Sequence, residues 1–401
     1  MTTEIFSKIK EMGTPAFLFD EGAFKKRLHE IDRILNGEYE EEKRIKICYA
    51  AKANPFLLTA AAEVVDRLEI CSQGEMDIVH SLSIDGEKVL YSGVSKTAED
   101  IRKAILQGMR HATAESLRHL DLLQQEGSLA GVKLTVLLRL SSGAQFGMTR
   151  ADIEKALAER EKYTALQIEG IHFFRGTQRR KIKQQEEELM MLEEFIKDLR
   201  EKYDLPLPKL EYGPGLPVPY FEGEDFLDTL LPLKELLPAL LKASEWAEVT
   251  VEMGRFFAAS CGTYLTTVTD LKDAEDAHIA ILDGGIHQLT YAGQMMGMKV
   301  PRLSLPHRNG SKDTVKQHYM LCGSLCTTGD VLVRDVELPS LQVGDVLAFE
   351  NVGAYTVTEG IGLFLSHALP SVYLYDEGRE EGEALLLVRG PVPTSTLNSK
   401  Q

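Results

Sequence analysis

One lysine stands out because it directly follows a run of apolar residues. Lys52 lies in the segment 49–54, Tyr-Ala-Ala-Lys-Ala-Asn, at the end of a predicted buried strand. A lysine there is costly unless it is paired or modified, and a desolvated amine is a nucleophile that condenses with aldehydes. The simpler alternative is a lysine whose ammonium group extends past the rim to solvent. Lys52 is therefore the first candidate for covalent chemistry.

Polar groups also follow other apolar runs. Eight such runs are Ile45–Ala50, Leu68–Ile70, Val89–Tyr91, His111–Thr113, Leu134–Leu138, Ile168–Phe174, Leu210–Tyr212 and Val249–Val251. Most are separated by segments of helical periodicity, of which 181–203 is the clearest. Eight strands alternating with helices predict an α/β fold, a (β/α)8 TIM-type barrel, whose active site lies at the C-terminal ends of the strands. Lys52, Ser92, Arg175, Thr177, Gly213 and Glu252 follow their runs, and Glu69 and Ser72 lie around the end of the second run.

The character of the chain changes after Arg255. Short β-rich runs replace the alternating pattern, and turn signals such as Asp-Gly-Gly at 283–285 separate them. The runs are Thr263–Asp270, His278–Leu282, His318–Cys322, Val346–Phe349, Val372–Tyr375 and Leu385–Val388. They predict a C-terminal all-β domain.

The bulk composition excludes several classes of protein. The 401-residue chain has a net charge of −16, so a nucleic-acid-binding face is not expected. We find no run that could span a membrane and no apolar signal core at the start, which predicts a cytoplasmic protein without membrane contact. The five cysteines, an odd number in a large chain, predict neither a disulfide framework nor a metal site.

Seven short motifs occur in the order that is typical of one enzyme family. They are Tyr49–Asn54, Glu69–Glu75, Phe146–Met148, His172–Gln178, Glu252–Arg255, Cys326–Asp330 and Gly353–Tyr355. With these motifs the chain resembles the fold-type III pyridoxal-phosphate (PLP) decarboxylases, the group of diaminopimelate, ornithine and arginine decarboxylases. The resemblance extends from Thr14 to about Tyr375. It implies a barrel and a β domain like those of alanine racemase and ornithine decarboxylase.

The predicted domain division follows from this pattern. Residues 28–262 are expected to form the PLP-binding barrel. Residues 1–27 and 263–391 are expected to form a β-sandwich or Greek-key domain, and residues 392–401 a flexible tail.

The resemblance implies a role for each of three catalytic residues. Lys52 is the lysine that holds PLP as a Schiff base. Glu252 matches the carboxylate that bonds the pyridine nitrogen, so that the protonated ring accepts the electrons left by CO2 in a quinonoid. Cys326 matches the cysteine that reprotonates the substrate carbon, since a thiol gives up a proton near working pH. The simpler interpretations are a rim salt bridge for Glu252 and a buried structural thiol for Cys326.

Further cofactor and substrate positions are carried over from the family. Arg255, the Thr177 hydroxyl and amides near Gly254 and 213–215 are expected to bind the phosphate. The full set of implied cofactor contacts is Lys52, Glu69, Ser72, Phe174, Gly176, Thr177, Gly213, Gly215, Glu252, Gly254, Arg255 and Tyr355. The implied substrate contacts are Phe146, Thr327 and Asp330.

The resemblance also implies a partner. In the family, the residues that match Cys326 and Tyr355 are donated across a dimer interface to the lysine of the other subunit. We therefore expect an obligate homodimer with two composite active sites.

Departures from the family pattern narrow the substrate. Where diaminopimelate and ornithine decarboxylases have an acidic residue after the cysteine, this chain has neutral Thr327. The segment that holds the distal carboxylate of diaminopimelate is replaced by residues 288–296, Gln-Leu-Thr-Tyr-Ala-Gly-Gln-Met-Met. Loss of a charge-assisted contact costs about 2 kcal/mol or more. Diaminopimelate and diamine-forming substrates are therefore disfavoured.

Other departures are similar to a subgroup from secondary metabolism. Phe174 replaces the ring-stacking histidine of the family, and Pro214 interrupts its glycine-rich phosphate loop. Phe174 and the Cys326-Thr327 pair resemble the decarboxylase of glutamyl-acyl-carrier protein in butirosin biosynthesis and siderophore-pathway decarboxylases. Substrates in that subgroup are long or carrier-bound. We expect decarboxylation of an amino acid or an amino-acid-derived substrate, small or linked to a carrier protein.

Three alternatives stay open at this point. One is a diaminopimelate or diamine-forming (ornithine or lysine) decarboxylase. Another is an amino-acid racemase, although racemases of this fold generally place an arginine at the pyridine nitrogen and Glu252 favours decarboxylation. The third is a non-catalytic regulatory relative. The presence of all the predicted catalytic residues argues against it, whereas Pro214 and Phe174 keep it open.

Overall fold

The chain divides into two compact units, Lys25–Val218 with Asp228–Phe257, and Met1–Phe24 with Pro219–Leu227 and Ala258–Gln401. The computed structural model describes residues 3–37, 44–224, 227–274, 277–306, 315–380 and 382–400. The first elements are helix α1 (Thr3–Met12), strand β1 (Ala16–Asp20) and helix α2 (Glu21–Asn36).

The larger unit is a closed barrel of eight parallel strands, β2 to β9. Its elements are β2 (Lys46–Ala50), α3 (Leu58–Val64), β3 (Arg67–Ile70), α4 (Gln73–Ser81), β4 (Val89–Tyr91), α5 (Ala98–Leu106), β5 (His111–Ala114), α6 (Leu117–Ala130), β6 (Leu134–Arg139), α7 (Arg150–Ala158), β7 (Leu166–Phe174), α8 (Ile182–Tyr203), β8 (Lys209–Gly213), α9 (Leu231–Ser244), β9 (Glu248–Met253) and α10 (Arg255–Ala258). All eight predicted strands are present, and the predicted barrel is confirmed.

Helix caps fix the loops at the C-terminal ends of the strands. Four helices begin at a hydroxyl that accepts an amide hydrogen of the first turn. The capping residues are Ser72, Thr97, Ser116 and Thr149. Each cap follows a barrel strand, and two of these capped loops contain the predicted site residues Ser72 and Phe146.

The opposite end of the barrel has a different character. The first residues of several strands, among them Lys46, Arg67, His111 and Glu248, line a cavity of about 20 Å³. Burial lowers the pKa of His111 to about 4. This cavity, named the floor cavity, is lined by none of the predicted site residues.

The smaller unit is all-β, as predicted, and contains one nine-stranded sheet. After β1 its elements are β10 (Gly262–Ala274), β11 (Ala277–Leu282), β12 (Leu303–Ser304), β13 (Lys316–Cys322), β14 (Val331–Pro339), β15 (Val346–Glu350), α11 (Thr356–Glu359), β16 (Ser371–Tyr375) and β17 (Leu385–Arg389). The main path is β14-β13-β11-β10-β1-β16-β17, and β15 pairs with β10 and β12. Strand β10 is the branch point, because its first half pairs with β1 and β15 and its second half with β11.

Two kinds of feature are absent from the described residues. No described helix combines the length and apolar character that crossing a bilayer requires. Within the same ranges, no three His, Cys, Asp or Glu side chains are grouped to hold a metal ion.

Candidate active site

Lys52 lies in a single 3-10 turn, Ala51–Ala53, directly after β2. Its Nζ donates to Glu69 Oε2 over 2.7 Å and lies 3.5 Å from Cys71 Sγ. The Glu69 side chain is 3% exposed, whereas that of Lys52 is 40% exposed. The amine is therefore accessible at the mouth of the barrel and is anchored from below by a buried carboxylate.

Glu69 is itself held by a second donor. Cys71 Sγ donates to Glu69 Oε1 over 3.0 Å, and burial together with Glu69 raises the pKa of the Cys71 thiol. The Cys71 amide donates to Glu75 Oε2 over 2.5 Å, and the Ser72 hydroxyl accepts from the Glu75 amide. In this structure Ser72 is a helix cap, and its predicted contact with the cofactor stays a prediction.

Glu252 lies near the C-terminal end of β9, on the strand beside Lys52. Cys48 of β2 pairs in register with Glu252, so Lys52 and Glu252 lie at the same end of the barrel. Glu252 Oε2 is 2.9 Å from His172 Nε2, and both residues are buried. Burial alone opposes ionisation of Glu252, but His172, together with Lys52 and Arg139, outweighs it, and the pKa of the carboxyl falls below its usual value. The site therefore contains a buried, ionised carboxylate.

A third carboxyl lies inside the barrel. Glu211 of β8 is 2% exposed and hydrogen-bonds the Cys48 thiol. Burial, together with the ionised Glu252, raises the pKa of Glu211 to about 8. Glu211 is therefore a neutral acid at pH 7, and it adds no second negative charge beside Glu252 inside the barrel.

Replacing Glu211 by glutamine should stabilise the protein in a pH-dependent way. Because the pKa of Glu211 is raised in the fold, the folded chain keeps a proton that the unfolded chain releases above its ordinary value of 4.5. Stability of the wild type should fall from this source as the pH rises from about 4.5 to about 8, by at most about 1.4 kcal/mol for each step of one in pH. Thermal unfolding checks this: the Tm advantage of E211Q should grow from pH 5 to 8 and then level off. A Tm difference that is constant with pH would contradict the neutral state of Glu211.

Two glycine-bearing loops meet beside the mouth of the barrel. A Cβ at Gly215 would collide with the Gly176 carbonyl oxygen, and Gly215 has φ +62°, so the first loop packs backbone to backbone on the second. Arg255 Nε donates to the Thr177 hydroxyl over 3.3 Å. The structure thus brings together the residues predicted to bind phosphate, Gly176, Thr177, Gly213, Gly215, Gly254 and Arg255.

Two of these glycines have no room for a side chain. A Cβ at Gly254 would lie 2.7 Å from Ala53 Cβ, and one at Gly213 would lie 2.6 Å from Phe174 Cδ2. Gly254 therefore packs on the turn that carries Lys52, and Gly213 packs on the Phe174 ring. The carbonyl of the unusual Pro214 accepts from Gln185 Nε2 over 3.2 Å, which anchors this loop to α8.

Phe146 belongs to a buried ion-pair network at the end of β6. Arg139 Nη1 donates to Glu115 Oε1 over 2.8 Å, and the other Glu115 oxygen accepts from the Gly147 amide. The Arg139 guanidinium carbon is 4.9 Å from the centre of the Phe146 ring. Phe146 is therefore positioned by a cation beneath its ring.

In the β unit, Cys326 and Thr327 lie exposed at the tip of a short loop. Asp330 is 3% exposed, and its two oxygens accept the amide hydrogens of Ile286 and Leu325 over 2.8 and 2.7 Å. These contacts hold the loop in shape, and the predicted contact of Asp330 with the substrate stays a prediction. The loop presents the Cys326 thiol to solvent.

Tyr355 has an unusual backbone. Its φ of +68° lies in the left-handed region, which a tyrosine rarely adopts. Two residues earlier, a Cβ at Gly353 would collide with the Ala258 carbonyl oxygen. This close backbone contact fixes the path of the chain just before Tyr355.

Comparisons with known proteins decide the family. Residues 22–259, more than half of the chain, match the family described as "Pyridoxal-dependent decarboxylase, pyridoxal binding domain". The chain belongs to the pyridoxal-dependent decarboxylases. It is a carboxy-lyase with PLP as its cofactor, which confirms the predicted family, enzyme class and cofactor.

Individual relatives cover almost all of this pyridoxal-dependent decarboxylase. It is 25% identical over 399 residues to the L-glutamyl-[BtrI acyl-carrier protein] decarboxylase of Niallia circulans, covering 94% of this chain and 92% of that protein. It is 27% identical over 364 residues to the diaminopimelate decarboxylase of Aquifex aeolicus, covering 86% and 82%. The crystal structure of diaminopimelate decarboxylase from M. jannaschii with L-lysine superposes with a TM-score of 0.84 at 23% identity, covering 98% and 93%.

The barrel mouth of this decarboxylase fits PLP in three respects. It offers an accessible amine at Lys52 and a buried ionised carboxylate at Glu252. It also offers, at Gly254, a backbone position that has no room for a side chain. An aldehyde, a protonated ring nitrogen and a phosphate are the complementary groups of the cofactor.

Several site residues of the decarboxylase escaped the sequence analysis. His172 and Glu211 lie within strands β7 and β8, whereas we searched for polar groups just after the apolar runs. Lys96 is also buried; it donates to the Gly93 carbonyl over 2.5 Å, and burial lowers its pKa to about 8. Ionisable residues inside apolar runs were the signal for His172 and Glu211, because a closed barrel fills its interior with strand side chains.

Proposed function

We propose that this enzyme is a cytoplasmic decarboxylase that removes the α-carboxylate of an amino acid in a conjugated or carrier-linked form. The observation that carries this proposal is the placement of the Lys52 amine and the Glu252 carboxylate at one end of the barrel, on paired strands. The chain is 25% identical to a glutamyl-carrier decarboxylase in an alignment that covers 94% of this chain, and this similarity supports the carrier-linked class of substrate.

The chain's own residues have distinct tasks in this proposal. Once bound, PLP supplies an aldehyde that condenses with an amine and a protonated ring that accepts the electron pair left by CO2. Lys52 Nζ is the amine that holds the cofactor, and Glu252 accepts the hydrogen of the ring nitrogen. Arg255 and the Thr177 hydroxyl, with the glycine loops, bind the phosphate. After CO2 has left, Cys326 Sγ gives a proton to the substrate Cα.

The β unit argues against a substrate with a charged distal end. In the segment 288–296, the Tyr291 hydroxyl donates to the Glu350 carbonyl and Gln288 accepts from the Tyr264 hydroxyl. These polar groups are used in the fold, and the segment contains no arginine or lysine. A distal carboxylate, as in diaminopimelate, has no cation to bind in this segment, and Thr327 offers no charge to a distal ammonium.

A substrate comparison tests the proposal. The PLP-loaded enzyme is supplied separately with free glutamate, ornithine, meso-diaminopimelate, and glutamyl thioesters of pantetheine and of an acyl-carrier protein, and CO2 release is measured. We expect a higher kcat/KM for a thioester than for any free amino acid. A higher kcat/KM for ornithine or diaminopimelate would overturn the substrate class while leaving the decarboxylase intact.

Mixing two inactive variants should restore activity if the sites are composite. We propose that Cys326 and Tyr355 complete the site of the partner subunit in a homodimer. A K52A/C326A heterodimer then has one intact site and one doubly altered site. Random reassortment should give about a quarter of the wild-type CO2 release per protein chain.

The reassortment experiment has a clear negative outcome. The two variants are mixed after reversible dissociation, and each alone, treated in the same way, is the control. Failure of the mixture to exceed its components, while size-exclusion chromatography shows dimers and wild type regains activity after the same treatment, would place Cys326 and Lys52 of one subunit in the same site.

A further inference from the structure

We propose that His172 is a positioning residue that holds the Glu252 carboxylate in place for the pyridine nitrogen of the cofactor. The inference rests on the proposed role of Glu252 and adds a residue that the motifs contained but to which no task was given. His172 and Glu252 are 1% and 7% exposed, and His172 Nε2 lies 2.9 Å from Glu252 Oε2.

The strand register explains how His172 reaches Glu252. His172 of β7 pairs with Glu211 of β8, and Glu211 pairs with Thr250 of β9. Thr250 and Glu252 are two residues apart, so their side chains point to the same face of β9. The imidazole therefore rises from the level of Thr250 and bridges across β8 to the carboxylate above it.

The hydrogen bond has a defined direction. Glu252 is ionised and can only accept, so His172 donates through Nε2. His172 Nδ1 has no partner among the residues that the structure describes. Within the same residues, His172 is the sole hydrogen-bond donor to Glu252, while Lys52 and Arg139 act on it through charge alone.

Removal of this donor has a consequence beyond packing. A buried carboxylate without a donor loses a charge-assisted hydrogen bond, and it takes up a proton or turns toward another donor. Either change weakens its bond with a protonated pyridine ring. His172 thus governs cofactor affinity through Glu252 and not through contact with the cofactor.

The test is a double-mutant cycle that measures PLP binding to the apoprotein by fluorescence titration. The variants are H172L, which removes the donor, H172Q, which keeps an amide donor near the position of Nε2, and E252Q. We expect H172L to weaken PLP binding about tenfold or more, H172Q to keep most of the affinity, and H172L to have little further effect in the E252Q background. H111L, at a barrel histidine that lines the floor cavity, is the matched control.

The outcomes separate the two proposals. Equal losses from H172L with and without E252Q, or an unchanged PLP affinity in H172L, would overturn the role of His172. An unchanged affinity in E252Q itself would overturn the assignment of Glu252 and leave His172 a packing residue. Should H172L fail to fold, H172N replaces it, because asparagine is polar but too short to reach Glu252; it should then lose affinity while H172Q does not.

Discussion

Replacement of Lys52 by alanine should abolish CO2 release and remove the visible absorption band of the bound cofactor. We expect kcat/KM to fall by about 10⁴-fold or more, because a residual noncovalent complex lacks the amine on which covalent catalysis depends. The fold should survive, since the Lys52 side chain is 40% exposed and the buried Glu69 carboxylate keeps Cys71 Sγ as a second donor. Steady-state CO2 release and an absorption spectrum after PLP reconstitution measure both effects.

Two further variants make the Lys52 result specific. K52R keeps a cation beside Glu69 but not a nucleophilic amine, so it should lose activity to the same degree as K52A. K88A is the matched control, because Lys88 is a half-buried lysine of the same unit whose Nζ donates to the Ala62 carbonyl. A K52A enzyme with CO2 release within tenfold of wild type would remove Lys52 from the mechanism.

The second large effect is expected for Glu252→Gln. Glutamine keeps the size of the side chain and can still bond His172, but it carries no negative charge to hold the ring nitrogen protonated. Loss of one preorganised electrostatic contact at a reacting group costs about 10²–10³ in kcat. Single-turnover CO2 release from the PLP-saturated enzyme separates this loss from weaker cofactor binding.

Glu211→Gln is the control for this substitution. Glu211 is already neutral at pH 7, because its pKa is raised to about 8 by burial and by Glu252. The same change of carboxyl to amide, one strand away, should therefore leave kcat within about twofold at that pH. If E252Q also retains kcat within this limit, the negative charge of Glu252 has no part in catalysis.

The sequence predicted the scaffold well because a barrel repeats one pattern. Each buried parallel strand reads as an apolar run, and active groups follow it, so Lys52 and Glu252 could be placed at one end before any coordinates. The helix 181–203 was equally clear, since Leu189, Leu192 and Ile196 recur at helical spacing and are buried in α8.

Strands β12 and β14 were not predicted from the sequence, and each omission has a physical reason. Strand β14 has no continuous period of two, because Arg334 and Asp335 are adjacent and both exposed, and the alternation is limited to its last residues. Strand β12 has two residues and leaves no pattern at all. The two amides that bind Asp330 were not foreseen, because the sequence shows only an acid after a reactive cysteine and its backbone partners appear only in the coordinates.

The contact between Gly213 and the Phe174 ring imposes an order on sequence change. With phenylalanine at 174, a methyl group at 213 would lie 2.6 Å from a ring carbon. Shortening residue 174 to alanine would remove that carbon and leave Cβ atoms 3.3 Å apart, a tight but attainable separation. An alanine at 213 is therefore sterically attainable only after residue 174 has been shortened, so the order of the two substitutions matters.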